Sequence, residues 1–137
     1  MPDIEQEFAC PCCGLYAMSA GMRDLDAALH AEFGERLRRS SGSRCPKYNA
    51  SPEIRGSDTS AHLPIWGENG KETVGGDYEL LHATERDRRR LAWIAVREGA
   101  LGVGYMPDDN AIHVDRKPRR YGLALWKVKN GKTEYFF

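Results

Sequence analysis

Residues 102–115 read GVGYMPDDNAIHVD. Two short apolar runs flank Pro107-Asp108-Asp109-Asn110. Proline early in a tight turn, followed by Asp and Asn, is ordinary turn chemistry, because proline presets φ and the short polar side chains bond to nearby backbone. The stretch therefore predicts a hairpin: a strand over 102–106, a turn over 107–110 and a strand over 111–115. Strand side chains alternate between faces. Ile112 and Val114 then share one face, and His113 and Asp115 share the other.

Working upstream, residues 84–98 predict a helix, with Thr84 as N-cap, an apolar face from Leu91, Ala92, Ala95 and Val96, and Gly99 just past its end. Residues 77–81 (DYELL) predict a short strand. Residues 19–34 predict another helix, because Met22, Leu25, Leu29 and Phe33 recur at roughly helical spacing after a plausible N-cap, Ser19. Gly34 closes it. A short strand is expected within 35–44. Residues 45–61 and 64–76, rich in Gly, Pro and Ser, predict loops, and 1–17 an extended or looped segment broken by Pro11 and Gly14. Downstream, Asn130-Gly131 between 123–128 and 133–137 is a hairpin signal. The sum is an α+β fold, an antiparallel sheet with two main helices, in a single domain over 1–137.

A length of 137 residues suits one domain with its own core. Lys plus Arg and Asp plus Glu each number 20, so the formal net charge is zero. No global field draws such a chain to nucleic acid or an anionic membrane, and neither is expected as a partner. The runs Arg86, Arg88–Arg90 and Arg116, Lys117, Arg119, Arg120 read as solvated faces or as a local anionic-polymer patch. No apolar run is long enough to span a membrane. The acidic start lacks the pattern of a secretory signal, so synthesis in the cytoplasm is expected.

The chain has four histidines and four cysteines. His30 and His82 read as packing or surface residues. His62, at the end of a polar loop, and His113, beside Asp115 on a strand face, are candidates for metal ligation, although His-x-Asp is often a simple hydrogen-bonded pair. Cys10, Cys12, Cys13 and Cys45 admit a disulfide, a structural metal site or free thiols. Trp66, Tyr105, Tyr121 and Trp126 belong to the core or line a groove.

In order, the chain reads SGSRCPKYN (41–49), SAHL (60–63), GGDYEL (75–80), a helix, GVGYMP (102–107) and AIHVDRKP (111–118). This succession resembles the zinc D-Ala-D-Ala carboxypeptidases and endopeptidases of the M15 kind, especially their short phage-like branch, over about residues 8–120. The resemblance implies a hedgehog/DD-peptidase fold with Zn2+ held by His62, Asp77 and His113. Two histidines and a carboxylate leave a fourth position open, the catalytic arrangement, in which zinc brings the pKa of water to about 7. It further implies that Arg44 polarises the scissile carbonyl or holds a terminal carboxylate, that Ser60 contacts the substrate, and that cysteines link the N-terminus to the Arg44 loop. The implied substrate is a peptidoglycan peptide, reached by a lysin-like protein after release or virion delivery. A monomer is expected.

Two departures bear on the site. Asp77 follows His62 by fifteen positions, farther than in the family, so 64–74 read as an insertion; Glu79 is the reserve ligand and Asp58 a weaker one. Where relatives carry a basic glutamate or a further histidine, this chain has Asn110 and Ala111. Asp115 is therefore the candidate general base, with Asp108 and Asp109 as substitutes, or else Asp115 only orients His113. Without a working base the protein would be a wall-peptide-binding module. A nucleic-acid-binding protein with a cysteine zinc site is the remaining alternative.

Overall fold

The computed structural model describes residues 3–136. In chain order the elements are α1 (Ile4–Phe8), α2 (Ala20–Phe33), β1 (Leu37–Ser41), α3 (Pro46–Asn49), β2 (Gly75–Leu80), α4 (Glu85–Arg97), β3 (Gly102–Met106), β4 (Ala111–Asp115), β5 (Ala124–Lys129) and β6 (Lys132–Tyr135), with one-turn 3-10 segments at Gly34–Arg36 and Pro107–Asp109. The fold is α+β. Its two main helices begin and end where the sequence places them. Ser19 Oγ accepts from the Met22 N–H, and Thr84 and Asp87 form a reciprocal capping box. Gly34 and Gly99 leave the helices at positive φ.

The strands form one six-stranded sheet in the order β1-β2-β4-β3-β5-β6. The expected all-antiparallel sheet is corrected at one ladder: β5 runs parallel to β3. The physical reason is the connection after β4. Residues 116–123 carry the chain across the end of β3, so β5 starts level with Gly102 rather than returning as a hairpin. α1 forms where the sequence predicts only an extended or looped segment; Asp3 caps it by accepting from the Glu5 N–H.

Alternation divides the sheet. Tyr78, Leu80, Val103, Ile112 and Val114 point to one side and are buried with Met22, Leu25 and Leu29 of α2 and Leu91, Ile94 and Ala95 of α4. That face also encloses a charged network. The Arg39 guanidinium holds both oxygens of Asp26 at 2.6 and 2.9 Å, and Tyr78 donates to Asp26 at 2.7 Å. The other face bears the candidate site.

Candidate functional site

One row of paired residues crosses the sheet on that other face: Ser41, Asp77, His113, Gly104, Trp126 and Tyr135. His113 lies in the middle, with Asp77 on one flank and a glycine on the other. A Cβ at Gly104 would stand 2.4 Å from the Trp126 indole. The missing side chain lets Trp126 reach His113, ring centroid to ring centroid 5.6 Å. The next row holds Gly75, Asp115 and Gly102. A Cβ on Gly75 would crowd Ala61 and His113, and one on Gly102 would strike the Arg119 guanidinium and Asp115. These three glycines clear the space in which the polar groups meet.

His62 arrives from the loop. Arg44 N–H donates to the His62 carbonyl at 2.9 Å, and Val74 N–H to the Ala61 carbonyl at 3.0 Å. Between them the chain makes a side excursion closed by Trp66 and Glu72, which exchange backbone hydrogen bonds at 2.9 and 3.0 Å. The excursion leaves and rejoins the chain beside the sheet, so the fifteen-residue separation does not part His62 from Asp77.

His62, Asp77 and His113 each offer a ligand atom, all within 4.8 Å of one another. The outer nitrogen of each ring is already engaged. His62 Nδ1 lies 2.7 Å from the Gly42 carbonyl, which can only accept, so that nitrogen carries the proton. His113 Nε2 lies 2.6 Å from Asp115 Oδ2. The inner nitrogens, His62 Nε2 and His113 Nδ1, face the same atom, Asp77 Oδ1, at 3.2 and 2.8 Å. In neutral rings those inner nitrogens are lone pairs, and two lone pairs converging on a carboxylate call for a cation or for added protons. The donor set fits a metal ion of the kind that nitrogen and carboxylate ligands share.

The electrostatics agree with that reading of the geometry. Burial disfavours the charged form of His113, but the bonds to Asp115 and Asp77 outweigh it and raise the imidazole to about 9. Asp77 is likewise opposed by burial, yet the two histidines hold it well below the usual carboxylate range. Asp115 is depressed against its own burial by Arg119 and His113.

Asp115 is fully buried. Its Oδ1 accepts from Arg119 Nη1 at 2.7 Å and from the Lys117 N–H at 3.0 Å. Its Oδ2 accepts from Arg119 Nη2 at 2.8 Å and faces His113. The carboxylate lies behind the His113 ring, on the side away from Asp77. Arg119, not among the site candidates the sequence singles out, is thus part of the site's support; it follows β4 in a loop, where no sequence periodicity marks it.

Arg44 Nη2 stands 3.5 Å from Asp77 Oδ2 and 3.4 Å from Ser41 Oγ, and its buried Nε has no partner among the described residues. Ser60 Oγ accepts from the His62 N–H, and its carbonyl accepts from the Trp66 indole. Glu79 shares the Asp77 face but pairs opposite Arg38. Asp58, Asp108 and Asp109 are exposed, and Asp108 accepts from the Asn130 N–H at 2.7 Å. None of these four carboxylates joins the His62–Asp77–His113 group.

A second group includes Cys45, the residue that follows Arg44. Cys10, Cys12, Cys13 and Cys45 are free thiols whose sulfurs all lie within 4.8 Å of one another. Contact with Cys45 pushes the Cys12 thiol up to about 12. Burial raises Cys10, but hydrogen bonds from Cys45 and Cys12 bring it down to about 6. Compared with models of protein families, with curated proteins and with solved structures, the chain matches none.

Proposed function

We propose that the protein is a zinc metallopeptidase acting on D-Ala-containing peptide bonds of peptidoglycan, in a hedgehog/DD-peptidase-like fold. One observation carries the reading: His62 Nε2, His113 Nδ1 and Asp77 converge, with both outer ring nitrogens already engaged. Preset tautomers and a single carboxylate match one of the three-ligand sets that catalytic zinc uses, two histidines with a carboxylate. Zinc in such a site supplies Lewis acidity, polarising an amide carbonyl and lowering the pKa of water toward about 7.

The remaining parts are the chain's own. Asp115 fixes the His113 ring through Nε2, and Arg119 in turn fixes Asp115. The Arg44 guanidinium stands beside Asp77, its Nη2 3.5 Å from Asp77 Oδ2. A substrate carboxylate or carbonyl oxygen is an acceptor that a guanidinium suits, because its charge is permanent and its donors are forked. Trp126 provides flat apolar surface beside His113, backed by the Arg119 guanidinium at 5.4 Å.

Asp115 serves this reading as a positioning residue. Its oxygens are occupied and turned away from where a substrate would stand, so it is poorly placed to take a proton. That observation also favours the second reading, a wall-peptide-binding module of the same fold with little hydrolytic power. The test is incubation of zinc-loaded protein with a muropeptide ending in D-Ala-D-Ala and with cross-linked wall fragments, followed by mass spectrometry. Zinc-dependent release of D-Ala or of the cross-linked stem supports the peptidase. Zinc-dependent binding without cleavage supports the module, and neither defeats both.

A further inference from the structure

The four cysteines come from two separate pieces of chain. Residues 10–13 form a tight turn: the Gly14 N–H donates to the Cys10 carbonyl at 2.8 Å, and the Cys10 N–H to the Leu15 carbonyl at 2.7 Å. Gly14, at φ +78°, turns the chain out of it. Cys45 heads α3 from the loop that carries Arg44. Across this gap Cys12 Sγ stands 3.2 Å from Cys45 Sγ and 3.7 Å from Cys10 Sγ.

Those separations have a chemical meaning. Zinc–sulfur bonds of ~2.3 Å make a tetrahedron with edges of roughly 3.8 Å. A disulfide would draw one pair to ~2.05 Å and leave two thiols over. Backbone donors also point at the sulfurs: the Cys45 N–H at Cys10 Sγ and the Tyr48 N–H at Cys45 Sγ, each at 3.4 Å. A neutral thiol is a weak acceptor, whereas a thiolate makes a charge-assisted bond. Nor does burial explain the cluster, since Cys12 and Cys13 are exposed.

We propose that Cys10, Cys12, Cys13 and Cys45 form a second, structural zinc site, independent of the His62–Asp77–His113 group, that staples the N-terminal turn to the Arg44 loop. Four thiolates close the coordination shell, so this site ties two segments of chain together rather than performing chemistry. Its place is informative. Cys45 follows Arg44 directly, the Arg44 N–H holds the His62 carbonyl, and the Ser43 N–H holds the Phe8 carbonyl at 2.8 Å. The staple anchors the segment that presents both Arg44 and His62 to Asp77.

The test is cobalt titration of the reduced, metal-free full-length protein, watched at the near-ultraviolet thiolate-to-cobalt charge-transfer band. The wild type is expected to develop this band to saturation at one equivalent of thiolate-bound cobalt. His113→Ala is expected to keep it, whether or not the histidine group binds metal. Cys12→Ser/Cys13→Ser replaces only exposed thiols, so the fold persists, as circular dichroism checks, and the band is expected to vanish. No band in the reduced wild type, or a band surviving in the double variant, overturns the proposal. A disulfide among these cysteines in protein alkylated at lysis also overturns it.

Discussion

Replacing Asp115 with asparagine tests the support behind His113 without changing its shape. Each Asp115 oxygen accepts from two directions, Oδ1 from Arg119 and Lys117 and Oδ2 from Arg119 and His113. An amide has one acceptor oxygen. Whichever way the new amide is turned, its NH2 group faces two donors: the Arg119 fork loses one bond in both orientations, and the His113 Nε2–H loses its partner when the NH2 group takes the Oδ2 position. Loss of such a carboxylate partner costs about 10- to 100-fold in metal affinity, or about 1.4 to 2.7 kcal/mol. The assay is zinc affinity by competition with a chromophoric chelator, on protein shown to be folded, in the Cys12→Ser/Cys13→Ser background so that thiols do not contribute. Affinity unchanged from the parent would refute the claim that Asp115 positions a metal ligand. If Asp115 were instead the general base, affinity would hold while hydrolysis alone collapsed.

Gly104→Ala should push Trp126 off the His113 ring, because the new Cβ would stand 2.4 Å from the indole; a shift in tryptophan emission and a loss of about 1 to 3 kcal/mol in denaturant unfolding are expected. Asp26 is opposed by burial, yet His30, Arg39 and Tyr78 lower its pKa to about 2. A depressed folded pKa stabilises fully above the unfolded value, near 4, and that stability fades as pH falls through about 2. Asp26→Asn should therefore flatten the acid limb of the stability curve in that window, measured by urea unfolding across pH. Metal affinity of the histidine group should rise with pH up to about 9, where the raised His113 loses its proton, by about tenfold per unit for one proton displaced; isothermal titration across pH reads it.

The helices were legible because their caps and apolar faces are local. Ser19, Thr84, Gly34 and Gly99 act on the neighbouring turn, and no distant contact competes with them. The 102–115 hairpin was legible for the same reason, and with it the shared face of His113 and Asp115. Pairing between distant strands was not. Nothing in residues 123–128 says that they lie beside β3 and parallel to it. α1 leaves no such mark, because its five residues are too short to show a period. At the site, His62, Asp77 and His113 lie together, and the excursion that Trp66 and Glu72 close absorbs the long separation between the first two. The position of Asp115 behind the histidine depends on Arg119 and on the emptiness at Gly102, which only three-dimensional packing reveals.

The most direct test is to count bound zinc in the wild type and in His62→Ala/His113→Ala, both purified without a histidine tag and confirmed folded. Elemental analysis against protein concentration gives the stoichiometry. The double variant should hold one zinc fewer per chain than the wild type, whatever the cysteines bind. Equal zinc in the two proteins would mean that His62, Asp77 and His113 hold no metal, and the peptidase reading would fall with them.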